Sequence, residues 1–185
     1  MKTIIRFVSR NAHKIAEAKR ILEAAHVEIL GTEFPIEELQ TKDTRNLVKD
    51  KALKAFRIYA GPLLVEHTGL YMKQLNDLPG GLTQIFWDAL QAERFCELFG
   101  HDKDNSVEAK TVLCYVDGFK CHFFEGSITG KIADVPRGSR DFQWDCIFIP
   151  NGETQTFAEM GDKKNDISMR RRALDEFVKI LPARI

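Results

Sequence analysis

The stretch from Lys110 to Gly130, KTVLCYVDGFKCHFFEGSITG, narrows the folds open to this chain more than any other segment. Asp117 and Gly118 stand between two alternating runs of β-branched and aromatic residues. An Asp-Gly pair so placed signals an antiparallel hairpin, because such turns need backbone angles that glycine adopts without strain. Helical patterns surround it. Thr3 to Ser9 is rich in β-branched residues and runs through Arg10 and Asn11 into AHKIAEAKRILEAA, where Ile15, Ala18, Leu22 and Ala25 fall at helical spacing, so a strand, a loop and a helix are expected in that order. VEIL (27–30) reads as a short second strand. Residues 46–60 read as a helix with Leu47, Leu53 or Ala52, and Phe56 on one stripe. PLLVEH (62–67) reads as a central strand whose Pro62 sits where no ladder donor is lost.

Beyond a turn-forming stretch at 76–81, GLTQIFWDALQAERFCELFG predicts a helix with Ile85, Phe86, Leu90, Phe95 and Leu98 facing inward, closed by Gly100. WDCIFIP (144–150) predicts another strand. Residues 168–181 predict a last helix with Ala173, Leu174, Phe177, Val178 and Leu181 toward the core. Helices flanking a mixed sheet that carries a hairpin define an α/β class rather than a sandwich or a bundle. With 185 residues, 44% of them hydrophobic, one globular domain over 1–185 is expected.

Charge and cysteine usage exclude several function classes. Twenty-seven basic residues balance 27 acidic ones, so no net field draws the chain toward nucleic acid or an anionic membrane, and any polyanion site must be local. No segment approaches the roughly 20 apolar residues of a membrane helix, and MKTIIRFVSRN turns polar too early for a secretory signal, which gives a cytoplasmic expectation. Cys96, Cys114, Cys121 and Cys146 form no C-x-x-C pair, and the five histidines form no H-E-x-x-H array, so reduced, packed thiols are expected and a zinc site is not.

Three stretches carry chemistry. Asn11 and Lys14 stand at the start of the first helix, where free N–H groups and the positive dipole end suit a phosphate. Arg170, Arg171 and Arg172 lie in the first turn of the last helix behind Ser168, a plausible cap, although cations there oppose the macrodipole. Something other than the helix must favour them: an anionic or carbonyl-bearing ligand, or simply a solvated basic face. Between these pieces, PRGSRDFQWDCIFIP places Phe142 and Trp144 on one side of an extended segment with Asp145 turned away. That arrangement suits either a core or a platform for a purine.

LVEHTGL, LPGG, GSITGKIADVPRGSRDFQWDCIFIPNGETQTFAEM and KKNDISMRRRAL occur in the order found in the inosine triphosphate pyrophosphatase (Ham1-like) family, which the chain resembles over nearly its whole length. The resemblance implies an elongated, two-lobed mixed α/β fold with a central cleft, usually in a homodimer. It also implies magnesium-dependent hydrolysis of ITP, dITP or XTP to the monophosphate and pyrophosphate. Carried across residue by residue, it makes Asn11 and Lys14 phosphate contacts, with Arg10 where glycine is usual. Phe142, Trp144, Asp145, Lys164, Ser168 and Arg170 become the base pocket. Gln143, Cys146 and Met169 depart from the usual glycine, proline and histidine.

The hydrolytic half departs further. In the family the strand ends in paired acids, the second of which acts on the attacking water. Here Glu66 is followed by His67. A metal-binding glutamate is expected from the helix before that strand. An ungapped count puts Asn46 there, with Glu37 and Glu38 nearby. Magnesium prefers hard oxygen ligands and imidazole does not provide them, so Glu66 is the remaining metal candidate and Mg2+ binding is expected to be weakened. Two readings follow. In the first, the chain is a catalytically impaired sensor that binds ITP or dITP intact and reports it to an effector, by analogy in bacterial antiviral defence. In the second it is an active pyrophosphatase in which His67 serves as general base.

Overall fold

In the computed structural model, which describes residues 3–102 and 104–181, seven strands form one sheet with order β2-β1-β3-β5-β6-β7, and β4 pairs with β3 off that path. β1 (Thr3–Val8) runs parallel to β2 (Val27–Thr32) and to β3 (Leu63–Met72). β3 pairs antiparallel with β4 (Leu78–Pro79) and β5 (Ser106–Val116). β5 pairs with β6 (Cys121–Ile132), and β6 with β7 (Phe148–Pro150). The helices are α1 (Ala12–Glu23), α2 (Thr44–Tyr59), α3 (Thr83–Phe99), α4 (Phe157–Met160) and α5 (Met169–Val178). The fold is therefore the expected mixed α/β sheet flanked by helices.

The Asp117–Gly118 turn closes the long hairpin as its chemistry requires. Asp117 Oδ1 accepts from the N–H groups of Phe119 and Lys120, both at 2.8 Å, and Gly118 takes φ 106°. Each face of the sheet then gathers a core. Ile5, Phe7, Leu64 and Leu113 pack on one face with Leu22 of α1 and Leu174 and Phe177 of α5. Leu63, Val65, Val112 and Cys114 pack on the other with Leu47, Val48 and Ala52 of α2. A third cluster joins Met72, Phe95, Ile132 and Phe148 under the far ends of the strands. β3 is buried on both faces, as a central strand requires. Among the described residues no helix is long and apolar enough to cross a membrane.

Three expectations are corrected. Residues 143–146 form a 3-10 turn instead of the start of a strand: Gln143 takes φ 40°, and the N–H of Ile147 bonds to the carbonyl of Trp144 at 3.0 Å. Ile85 and Leu98 are 47% and 40% exposed, because α3 breaks at Gln91 (φ 55°, ψ 177°) and its two halves do not share one apolar stripe. Leu53 is likewise exposed, and Ala52 takes the buried position of its stripe. Cys96, Cys114 and Cys146 are buried free thiols, and Cys121 is free and half-buried.

Candidate functional site

A cleft of about 370 Å³ opens where β1 gives way to α1. Asn11 caps α1: its Oδ1 accepts from the N–H of Lys14 at 3.2 Å, and its own N–H donates to Ser9 Oγ at 3.1 Å, which fixes the loop. Arg10, Lys14 and Lys51 bring three cationic side chains to the cleft, Arg10 exposed and Lys14 largely covered. Burial lowers the pKa of Lys14 against the raising effect of Glu66. Across the mouth, Gln143 donates a hydrogen bond to Gln84. A cavity of this size lined by cations suits a polyphosphate chain.

Alternation along β3 separates the two residues that the sequence places side by side. Glu66 shares its face with Leu64 and points toward α1 and α5, whereas His67 shares its face with Val65 and points toward α2. Arg170 Nε and Nη2 donate to the two oxygens of Glu66 at 2.9 and 2.8 Å, and Lys14 lies 3.2 Å from one of them. Burial pushes the Glu66 carboxyl up, but Arg170 and Lys14 outweigh it and hold the pKa down to about 2. His67 lines the cleft and is 7% exposed. Its Nδ1 lies 3.8 Å from Glu38 Oε2, and Lys51 Nζ donates to Glu38 Oε1 at 2.5 Å.

A second cavity of about 360 Å³ is bordered by Phe142. Lys164 Nζ sits 4.3 Å from the Phe142 ring centroid, Arg170 5.8 Å, and the His13 ring 5.5 Å. Lys164 also pairs with Asp145 and with Glu17, the latter at 2.5 Å. Asp145 Oδ1 is buried without a partner, and burial raises the carboxyl to about 6 against the opposing charge of Lys164.

The 3-10 turn divides the expected aromatic pair. Phe142 borders the cavity, while Trp144 is 2% exposed and packs edge-on against Phe148 at 5.8 Å in the core. The Ser168 hydroxyl caps α5, accepting from the N–H of Arg171 at 3.1 Å. The three arginines have separate tasks. Arg170 is clamped by Glu66 and Glu17, Arg171 bonds Asp175, and Arg172 donates to the Ser127 carbonyl. One buried chain of alternating charge thus runs Asp145, Lys164, Glu17, Arg170, Glu66, Lys14 from the second cavity to the cleft.

These donors do not fit a magnesium ion. Glu66 points to the opposite face from His67, and its oxygens are taken by Arg170 and Lys14. Asn46, expected at a metal-binding position, is exposed in the first turn of α2, where its N–H donates to Asp43 Oδ1 at 3.0 Å. The carboxylate that does reach the cleft is Glu38, from the coil before α2, and Lys51 and His67 engage it. Among the described residues no three His, Cys, Asp or Glu side chains gather as a metal cluster. Lys51 and Glu17 escaped sequence reading. Glu17 follows Lys14 at i+3 on the buried stripe of α1, the one signal that pointed to it.

An α/β sheet with a cationic cleft beside an aromatic-walled cavity defines the class. The comparisons supply the family: its sequence profile matches residues 5–180, and the chain belongs to the Ham1 family. It is 34% identical to the dITP/XTP pyrophosphatase of Thermococcus kodakarensis over 95% of each chain, and 34% identical to the inosine triphosphate pyrophosphatase of Candida glabrata over 98% of each. A solved HAM1 protein from Coxiella burnetii superimposes with a TM-score of 0.77 at 26% identity, covering 96% of this chain and 98% of the other.

Proposed function

We propose that the chain binds a purine nucleoside triphosphate carrying hypoxanthine or xanthine, such as ITP, dITP or XTP, and hydrolyses it to the monophosphate and pyrophosphate. One observation carries the reading. Phe142 borders the second cavity beneath Lys164, and its neighbour Gln143 lines the cationic cleft. In this reading a base stacks on that ring and its phosphates lie in the cleft with Lys14 and Lys51. The Lys164 ammonium offers donors that suit the 6-oxo group of a deaminated purine and would meet the donor amino group of adenine unfavourably. The similarity to a dITP/XTP pyrophosphatase and to an inosine triphosphate pyrophosphatase supports the same activity.

The sensor reading stands second and rests on one observation, a histidine where the strand would otherwise present a water-activating acid. Incubation with dITP, with pyrophosphate release and binding followed in the same sample and ATP and dGTP as controls, separates the two. Selective turnover is the expected result. Selective binding of dITP that stays intact would put the sensor in its place. A homodimer is the expected assembly from the resemblance, and light scattering on the purified chain tests it.

A further inference from the structure

We propose that Gln143 contacts the sugar of the nucleotide, its Oε1 accepting a hydrogen bond from a ribose hydroxyl. The inference deepens the nucleotide-binding reading above and rests on it. Phe142 borders the second cavity, and Gln143, the next residue, lines the cleft. A base on Phe142 and phosphates beside Lys14 are joined through the sugar, which therefore passes the link between residues 142 and 143. A chain of hydrogen bonds fixes which end of the Gln143 amide is on offer. Asp88 Oδ1 accepts from Gln84 Nε2 at 2.7 Å, and a carboxylate has no proton to give, so Gln84 must turn its nitrogen that way. Gln84 Oε1 then accepts from Gln143 Nε2 across the mouth of the cleft. Gln143 Oε1 is left as an acceptor without a protein donor among the described residues.

The surroundings leave this task to Gln143. The two threonines of the cleft are engaged within the protein: Thr68 pairs with Thr111 at 2.7 Å, and Thr83 accepts from the N–H of Leu70 while donating to the Gly80 carbonyl. Lys14 and Lys51 carry donors alone and suit phosphate oxygens. The backbone points the same way. Gln143 holds φ 40°, a conformation that glycine adopts freely and a residue with a side chain does not. The turn thus carries a carboxamide where its backbone favours no side chain, and the use of that carboxamide lies in what it faces. Gln84 and Asp88 act through Gln143 and are positioning residues. The 2′ and 3′ hydroxyls are both donors on the same ring, and removing them one at a time tells which is held.

Calorimetry with the α,β-methylene analogues of ITP, dITP and 2′,3′-dideoxy-ITP, which resist hydrolysis, tests this in the wild type, Gln143→Gly and Asp88→Asn. Wild-type affinity should fall about 3- to 10-fold at the step that removes the hydroxyl in contact. That step is ITP to dITP for the 2′ group, or dITP to the dideoxy analogue for the 3′ group. Gln143→Gly suits φ 40° and keeps the turn, and it should bind all three within about 2-fold of one another. Asp88→Asn, which frees the Gln84 amide to turn round, should show a smaller step than the wild type, whereas a merely structural effect would shift the three sugars equally. The wild-type series needs no variant to fold. A wild type that binds the three alike, or a Gln143→Gly variant that keeps the wild-type step, would remove the sugar contact and leave the nucleotide reading standing. An equal gain for all three sugars in Gln143→Gly would mark the amide as an obstruction and overturn the contact as well. A wild type that neither binds the analogues nor turns over dITP would remove the nucleotide reading and the contact with it.

Discussion

Arg170 shows how much of this site is decided by single side chains. Its guanidinium, 1% exposed, reaches both Glu66 and Glu17, a forked geometry that an ammonium cannot reproduce. Arg170→Met leaves Glu66 with Lys14 as its remaining cation and Glu17 with Lys164, strips both of their guanidinium hydrogen bonds, and is expected to cost about 3–5 kcal/mol, read as a lower urea midpoint, with Arg170→Lys recovering only part. Asp145 gives a pH signature. Its folded pKa of about 6 lies above its ordinary 3.8, so its contribution is fully present below about 3.8 and is lost as pH rises through about 6. Glu66 runs the other way: its contribution is present above its ordinary 4.5 and is lost as pH falls through about 2. Between pH 7 and pH 4.5 the wild type should therefore gain stability relative to Asp145→Asn. Parallel urea midpoints across that range would refute the assignment.

At the scale of elements, the site depends on how closely α5 lies on β6. A Cβ on Gly126 would stand 2.2 Å from the Met169 carbonyl and 2.4 Å from the Ala173 nitrogen, backbone atoms that cannot step aside. Gly126→Ala should push α5 outward, cost about 1–3 kcal/mol and weaken dITP binding through the displaced Arg170, which melting and calorimetry together would show. The elements themselves were legible where one local rule governed them: an Asp-Gly pair gave the hairpin, and a 3.6-residue period gave α1 and α5. The turn at 143–146 was not, since FQWDC carries the alternation of a strand and Gln143 adopts φ 40° without being glycine. Glu38 was named beside Glu37 near the expected metal position, but its pairing was not legible, because it lies in coil with no periodicity and meets Lys51 only where α2 packs over it. Asn46 drew attention because an ungapped count runs along the helix and past the coil that brings Glu38 to the cleft.

For the molecule as a whole, the exclusion of Glu66 from the cleft leaves few acids for a divalent ion. Calorimetric titration of the nucleotide-free protein with MgCl2 should show no saturable binding in the micromolar range. His67→Asp, which restores a second carboxylate beside Glu38, should create it; tight magnesium binding by the wild type would contradict the geometry. The buried chain from Asp145 to Lys14 holds three acids and three bases drawn from α1, β3, α5 and the 3-10 turns at 143–146 and 161–166. Its sum is zero with every member present, and the loss of any single member breaks that balance. The cheapest way for this sequence to drift at those positions is then two at a time, one acid with one base, and anyone redesigning the base preference would have to edit partners, never a lone residue.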